Sequence, residues 1–152
     1  MIYIGVDPGK LGGYAVITEQ AAFAYPWDDE LFIMEMQAVV QMERDVIAAV
    51  EKVGARPGQG VTSMFNFGRS AGYIEGVLAA LGISHQLVPP HQWKRDFGLI
   101  GKDKLASVMV CQRLFPAVDL RRTERCTTYS DGKAEALLIA EYARRHYGRG
   151  SK

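Results

Sequence analysis

The chain has 152 residues and a net charge of +1; 48% are hydrophobic and 23% charged, which suits one globular domain with one core and excludes a disordered chain. No apolar run approaches the roughly 18 residues that a membrane helix needs, and no basic stretch precedes an apolar one at the N-terminus, so neither a membrane span nor a signal peptide is expected, and a cytoplasmic location is. Cys111 and Cys126 make neither a metal-ligand spacing nor a disulfide framework and read as two reduced thiols. Charge is unevenly placed: residues 1–90 carry 5 Lys and Arg against 10 Asp and Glu, and residues 91–152 carry 13 against 7. An acidic part that holds cations beside a basic part that holds phosphates accounts for this, and so does a chance split of solvated charge.

In chain order, Ile2–Val6 is a β-branched apolar run punctuated by Asp7-Pro8-Gly9, a strand ending in a turn. Gly13–Thr18 and Ala21–Tyr25 complete an antiparallel meander. Asp28-Asp29-Glu30 places acids at the positive end of a helix over Leu31–Gln41. Val46–Val53, interrupted by Glu51, reads as a buried strand, although periodicity alone also allows a helix. After a Gly-rich loop, Phe65–Leu81 reads as a helix closed by Gly82, and Ile83–Val88 as a strand stopped by Pro89-Pro90. A short helix or turn around Trp93 follows, then an amphipathic helix over Lys102–Phe115 and an Arg-rich loop over Ala117–Thr128. Ser130 caps a last helix, Asp131–Tyr147, with a frayed tail from Gly148 to Lys152. Residues 1–147 therefore make one α/β domain, a mixed five-stranded sheet with helices on both faces.

Four carboxylates attract attention. Asp7 ends the first strand, and Glu51 interrupts an otherwise apolar one; a buried, unpaired charge at either place is costly, so each needs a partner, a cation or solvent. Asp131 and Glu135 stand i, i+4 on one helix face, where like charges repel unless a cation lies between them. Four carboxylates on three elements suit two Mg²⁺ ions about 4 Å apart, the arrangement for in-line phosphodiester cleavage. Three of the four also have a plainer reading: Asp7 as a turn residue, Glu51 on an open strand face, Asp131 as a favourable charge at a helix start. His85, His91 and His146 form no ligand spacing.

Ile4-Gly5-Val6-Asp7-Pro8-Gly9 followed by Gly13-Tyr14-Ala15-Val16-Ile17 resembles the opening of the RuvC family of Holliday junction resolvases. Val50-Glu51-Lys52-Val53 resembles its second acidic motif, and Asp131-Gly132-Lys133-Ala134-Glu135 the start of its last helix. The run from Pro57 to Ser70 and the segment Val88-Pro89-Pro90-His91-Gln92-Trp93-Lys94 are similar to the phage and chloroplast branch. The resemblance covers essentially the whole chain, in order. It implies an RNase H-like fold, a homodimer, two Mg²⁺ or Mn²⁺ ions per site, no nucleotide cofactor, and paired symmetric nicks in branched DNA. The implied catalytic and metal-binding acids are Asp7, Glu51, Asp131 and Glu135. Bacterial RuvC carries two Asp three apart where this chain has Asp131 and Glu135 four apart, as in the chloroplast-type branch. The chain starts directly at its first strand without a transit peptide, which implies a bacterial or phage source.

A junction enzyme needs phosphate contacts for position and base contacts for preference. The basic candidates are Arg56, Arg69, Lys94, Arg95, Lys102 and Lys104, the last two flanking Asp103 at a helix start, where backbone N–H groups also attract phosphate. Arg121, Arg122 and Arg125 lie in the loop before the last helix. Phe65 and Phe67 follow the Gly-rich loop, as core residues or as rings for an unpaired base. Gly68, Gly72, Gly76 and Ala80 recur every four residues, so something packs closely on that helix: the chain's own sheet, or, as the family implies, a second copy.

Other readings remain. The first motif also resembles a phosphate loop of actin-like ATPases, but 152 residues are too few for two such domains. An RNase H-like nuclease acting on flaps or RNA–DNA hybrids keeps the chemistry and changes the substrate. A branched-DNA binding protein without cleavage keeps the substrate, yet carboxylates repel DNA unless a cation intervenes.

Overall fold

The computed structural model describes residues 1–55 and 57–148. Its elements, in chain order, are β1 (Ile2–Asp7), β2 (Gly13–Ile17), β3 (Ala22–Pro26), α1 (Asp29–Met42), β4 (Val46–Glu51), α2 (Val61–Ala80), β5 (Ser84–Val88), α3 (Pro90–Asp96), α4 (Lys104–Leu114) and α5 (Asp131–Tyr147). The strands form one sheet in the order β3-β2-β1-β4-β5. β1, β2 and β3 pair antiparallel, whereas β4 runs parallel to both β1 and β5. Those parallel pairings bring the C-terminal ends of β1, β4 and β5 to one edge. Val6 pairs with Val50 and Glu51 with Val88, so Asp7 and Glu51 each follow directly on a paired valine.

Period-two alternation divides the side chains between two cores. Ile4, Val6, Tyr14, Val16, Ala48 and Val50 pack with Phe32, Met36 and Val39 of α1 and with Ile74 and Leu78 of α2. Ala15, Ile17, Ala24, Ala49 and Val88 face the other way, toward α5, Val108 and Cys111 of α4, and Trp93 of α3. Helices thus cover both faces, the α/β architecture expected. α5 is buried from Gly132 to Ala134 and again from Ala136 to Ala143, and it crosses β1 at Gly5. A Cβ on Gly5 would meet the Ala136 carbonyl oxygen and the Ala140 amide nitrogen, so only glycine admits the helix at this distance. Gly132 plays the same part against the backbone of Leu11 and Gly12.

Helix starts follow local chemistry. The Asp28 side chain accepts from the Leu31 amide (2.9 Å), Asp103 from Ala106 (3.0 Å), and Ser130 from Lys133 (3.2 Å). Several boundaries differ from expectation by one to four residues, and two of these shifts have a clear local cause. β4 stops at Glu51 and not at Val53: the Lys52 amide still donates to the Val88 carbonyl (2.8 Å), but the next donor position opposite is Pro90, which has no N–H to continue the pairing. α2 starts at Val61, a turn before Phe65, because Gly60 is already extended and ends the loop. On α2 the residues turned to the sheet are Ala71, Ile74 and Leu78, so Gly68, Gly72, Gly76 and Ala80 lie on the exposed face. A Cβ on any of those three glycines would meet nothing within 4 Å. Packing on the chain's own sheet is therefore not what offsets their cost to the helix.

No helix among the described residues is long and apolar enough to cross a membrane. Cys111 is buried, and burial pushes its thiol up to about 12, with the Glu135 charge adding to the effect. Cys126 is partly exposed. A thiol reagent at pH 8 is expected to modify one cysteine per native chain, Cys126, as read by mass spectrometry. Rapid modification of both would mean that the α4–α5 contact opens readily.

Candidate active site

Asp7, Glu51 and Glu135 converge, with one carboxylate oxygen from each lying within 4.8 Å of the others. They come from the ends of β1 and β4 and from the second turn of α5. Parallel pairing sets the first two side by side. The close passage of α5 over Gly5 brings the third. Hard carboxylate oxygens at this spacing could hold a hard divalent cation.

A cation among these acids would relieve an electrostatic cost. Burial raises the Asp7 carboxyl well above the ordinary carboxylate range, and the charges of Glu51, Glu135 and Asp131 push it further, with Lys94 opposing. Burial also raises Glu135, against the attraction of Lys94, whose ammonium is 3.9 Å from its Oε1. Asp131 behaves differently. Burial pushes it up, but its 2.6 Å ion pair with Lys104 outweighs that and holds it below the usual value. The geometry therefore unites three of the four expected acids and leaves Asp131 beside them, matched by an ammonium.

Lys94 and Lys104, two of the basic DNA-contact candidates, place their ammonium groups on site carboxylates. Lys94 also lies 5.2 Å above the indole of Trp93. The Trp93 Nε1–H in turn donates to Glu51 Oε2 at 2.8 Å. Sequence reasoning missed this contact, although a buried indole N–H always poses the question of its acceptor.

A cleft of about 640 Å³ opens beside the acids. Asp7, Asp131, Glu135 and Lys104 form one wall; Ser63, Asn66, Phe67 and Ser70 of α2 form another. Phe67 packs near Gly9, whereas Phe65 is 70% exposed and projects from α2. Arg69, Arg95, Lys102, Arg122 and Arg125 are exposed. Arg121 is engaged within the loop, its Nε 2.9 Å from Asp119 Oδ1 and its Nη2 2.7 Å from Asp119 Oδ2. Arg56 lies outside the described residues. A larger cavity, about 780 Å³, sits at the opposite end of the sheet around Tyr3, Phe23 and Phe115. Its buried acid, Glu141, is bound by Arg144 and Arg145, so the chemistry belongs to the smaller cleft.

Fold and site together define an RNase H-like α/β protein, with acids at the ends of adjacent parallel strands and on the helix that crosses them. The same fold occurs in RuvC of Thermus thermophilus. Its structure in complex with Holliday junction substrate has a TM-score of 0.66 and 16% sequence identity, covering 99% of this chain and 98% of that one. A second Thermus thermophilus RuvC structure has a TM-score of 0.56 and 18% identity, covering 95% of this chain and 96% of that one. No protein-family model and no curated protein matches the sequence.

Proposed function

We propose that this chain is a metal-dependent endonuclease that resolves four-way DNA junctions by paired, symmetric phosphodiester hydrolysis. The observation that carries this reading is the convergence of Asp7, Glu51 and Glu135 in a fold shared end to end with a protein bound to Holliday junction substrate. Asp7, Glu51 and Glu135 would hold the first Mg²⁺ or Mn²⁺. Asp131, released by Lys104, would complete the four-acid set for a second. When bound, such ions polarise a phosphate oxygen and lower the pKa of the attacking water.

The protein's own groups supply the rest. Lys104, 77% exposed, is long enough to leave Asp131 for a DNA phosphate as the site fills. Lys94 neutralises part of the negative field until then. The exposed Arg69, Arg95, Lys102, Arg122 and Arg125 hold the junction arms by their phosphates, and Phe65 offers a ring for an unpaired base. The open strip of Gly68, Gly72, Gly76 and Ala80 is the surface we assign to a two-fold partner, whose second site would cut the opposite strand.

The test is cleavage of a synthetic four-way junction beside linear duplex, flap and RNA–DNA hybrid, with and without Mg²⁺ or Mn²⁺. Paired symmetric nicks confined to the junction and dependent on metal are expected. Cleavage of hybrid or flap with the junction intact would keep the metal site and replace the substrate. Binding without cleavage under either metal would overturn the enzymatic reading.

A further inference from the structure

The donors that reach these acids are of two kinds. Asp131 and Glu135 face ammonium groups, which compete with an incoming cation for the same oxygens and add a positive charge that repels it. Glu51 receives the neutral N–H of Trp93. An indole N–H donates and never accepts, so it orients a carboxylate without neutralising it and without competing as a ligand.

The fold fixes this donor firmly. Trp93 is fully buried. It sits on α3, which starts two residues after Val88, the register partner of Glu51, with Pro89-Pro90 setting the turn. The far end of α3 is tied to α5: Asp96 pairs with His146, and the Arg145 guanidinium lies 4.6 Å above the Phe97 ring. An indole clamped at both ends of its segment has little freedom to rotate away.

We propose that Trp93 is a positioning residue that sets the orientation of the Glu51 carboxylate for cation binding with Asp7 and Glu135. This rests on reading those acids as a metal site. Partners of this kind orient metal ligands, and their removal typically costs about 10- to 100-fold in metal affinity.

The test replaces Trp93 by β-(3-benzothienyl)alanine, in which sulfur takes the place of the N–H and the ring shape is kept. Trp93→Phe serves as a second, genetically simple variant. Mg²⁺ binding is measured by calorimetry, and melting in chelator reports the fold. The expected result is an unchanged melting temperature for the sulfur analogue, with Mg²⁺ affinity lower by about 10- to 100-fold. The native protein adds an independent readout, because it has two tryptophans. Trp27 lines the same cleft but donates elsewhere, to Asp29 Oδ1, and gives the signal for comparison. In an NMR titration with Mg²⁺, the Trp93 indole proton is expected to shift well beyond that of Trp27.

Native-like Mg²⁺ affinity in the sulfur analogue would overturn the proposal and leave the metal site standing, with Trp93 reduced to filling space. Absence of Mg²⁺ binding by the native protein would overturn both.

Discussion

Asp7→Asn is expected to abolish the proposed junction cleavage, to leave junction binding intact, and to raise the melting temperature of the metal-free protein. The first effect follows from removing a charged ligand at the centre of the acid trio; a loss of roughly 10³-fold or more is expected. The last follows from burial. The folded-state pKa of Asp7 is raised by desolvation, then by Glu51, Glu135 and Asp131. A carboxyl with a raised folded pKa contributes stability below its unfolded pKa, and that contribution is lost as pH rises through the folded value. Above that folded value the metal-free native protein carries an unfavourable buried charge, which the near-isosteric amide removes. Each kcal/mol relieved corresponds to roughly 2–4 °C in a domain of this size. Lowering the pH through the folded value in chelator narrows the gap between native and variant, because the native carboxyl takes up its proton. Saturating Mg²⁺ reverses the order: a ligand at 100 times its Kd stabilises by about 2.7 kcal/mol, and only the native protein keeps that binding. Thermal melts in chelator and in Mg²⁺, at two pH values, check every part. A variant less stable than native in chelator would mean that another group already compensates the Asp7 charge.

Gly5→Ala unfolds the protein or lowers its melting temperature by roughly 10 °C or more. The added Cβ would meet the Ala136 carbonyl oxygen and the Ala140 amide nitrogen. Both are backbone atoms of α5, so no side chain can swing aside. Either α5 lifts from β1, opening the core that Leu137, Leu138 and Ile139 fill, or β1 bends. Glu135 moves with the helix, so any folded fraction should also bind Mg²⁺ weakly. Gly54→Ala is the control: its backbone φ is not in the left-handed region, and an added Cβ meets nothing within 4 Å, so a change of a few tenths of a kcal/mol is expected. Equal melting temperatures for the two variants would show that the α5–β1 contact has slack that the close approach conceals.

The acid trio was legible because each member interrupts a local pattern. Asp7 ends an apolar run at a Pro-Gly turn, Glu51 sits at the end of another, and Asp131 and Glu135 share one helix face. What happens to those acids was not legible. The partners of Glu51, Glu135 and Asp131 are Trp93, Lys94 and Lys104, each more than two dozen residues away in sequence and brought there only when α3 and α4 fold over the end of the sheet. A basic residue read alone looks the same whether it will meet a phosphate or a carboxylate. The glycines of α2 illustrate the same limit from the other side: their spacing announces a smooth helix face, and only the placement of Ile74 and Leu78 decides that this face points outward.

By itself, the sequence determined the elements and their punctuation, because strand alternation, helix caps and proline stops act over a few residues and need no distant partner. It also determined which positions carry unusual carboxylates. Only the tertiary structure decided that three of them meet while the fourth is matched by Lys104, and that a neutral indole holds Glu51. Those outcomes depend on parallel register and on the close crossing of α5 over Gly5, where packing of residues far apart in the chain sets distances that no local pattern encodes.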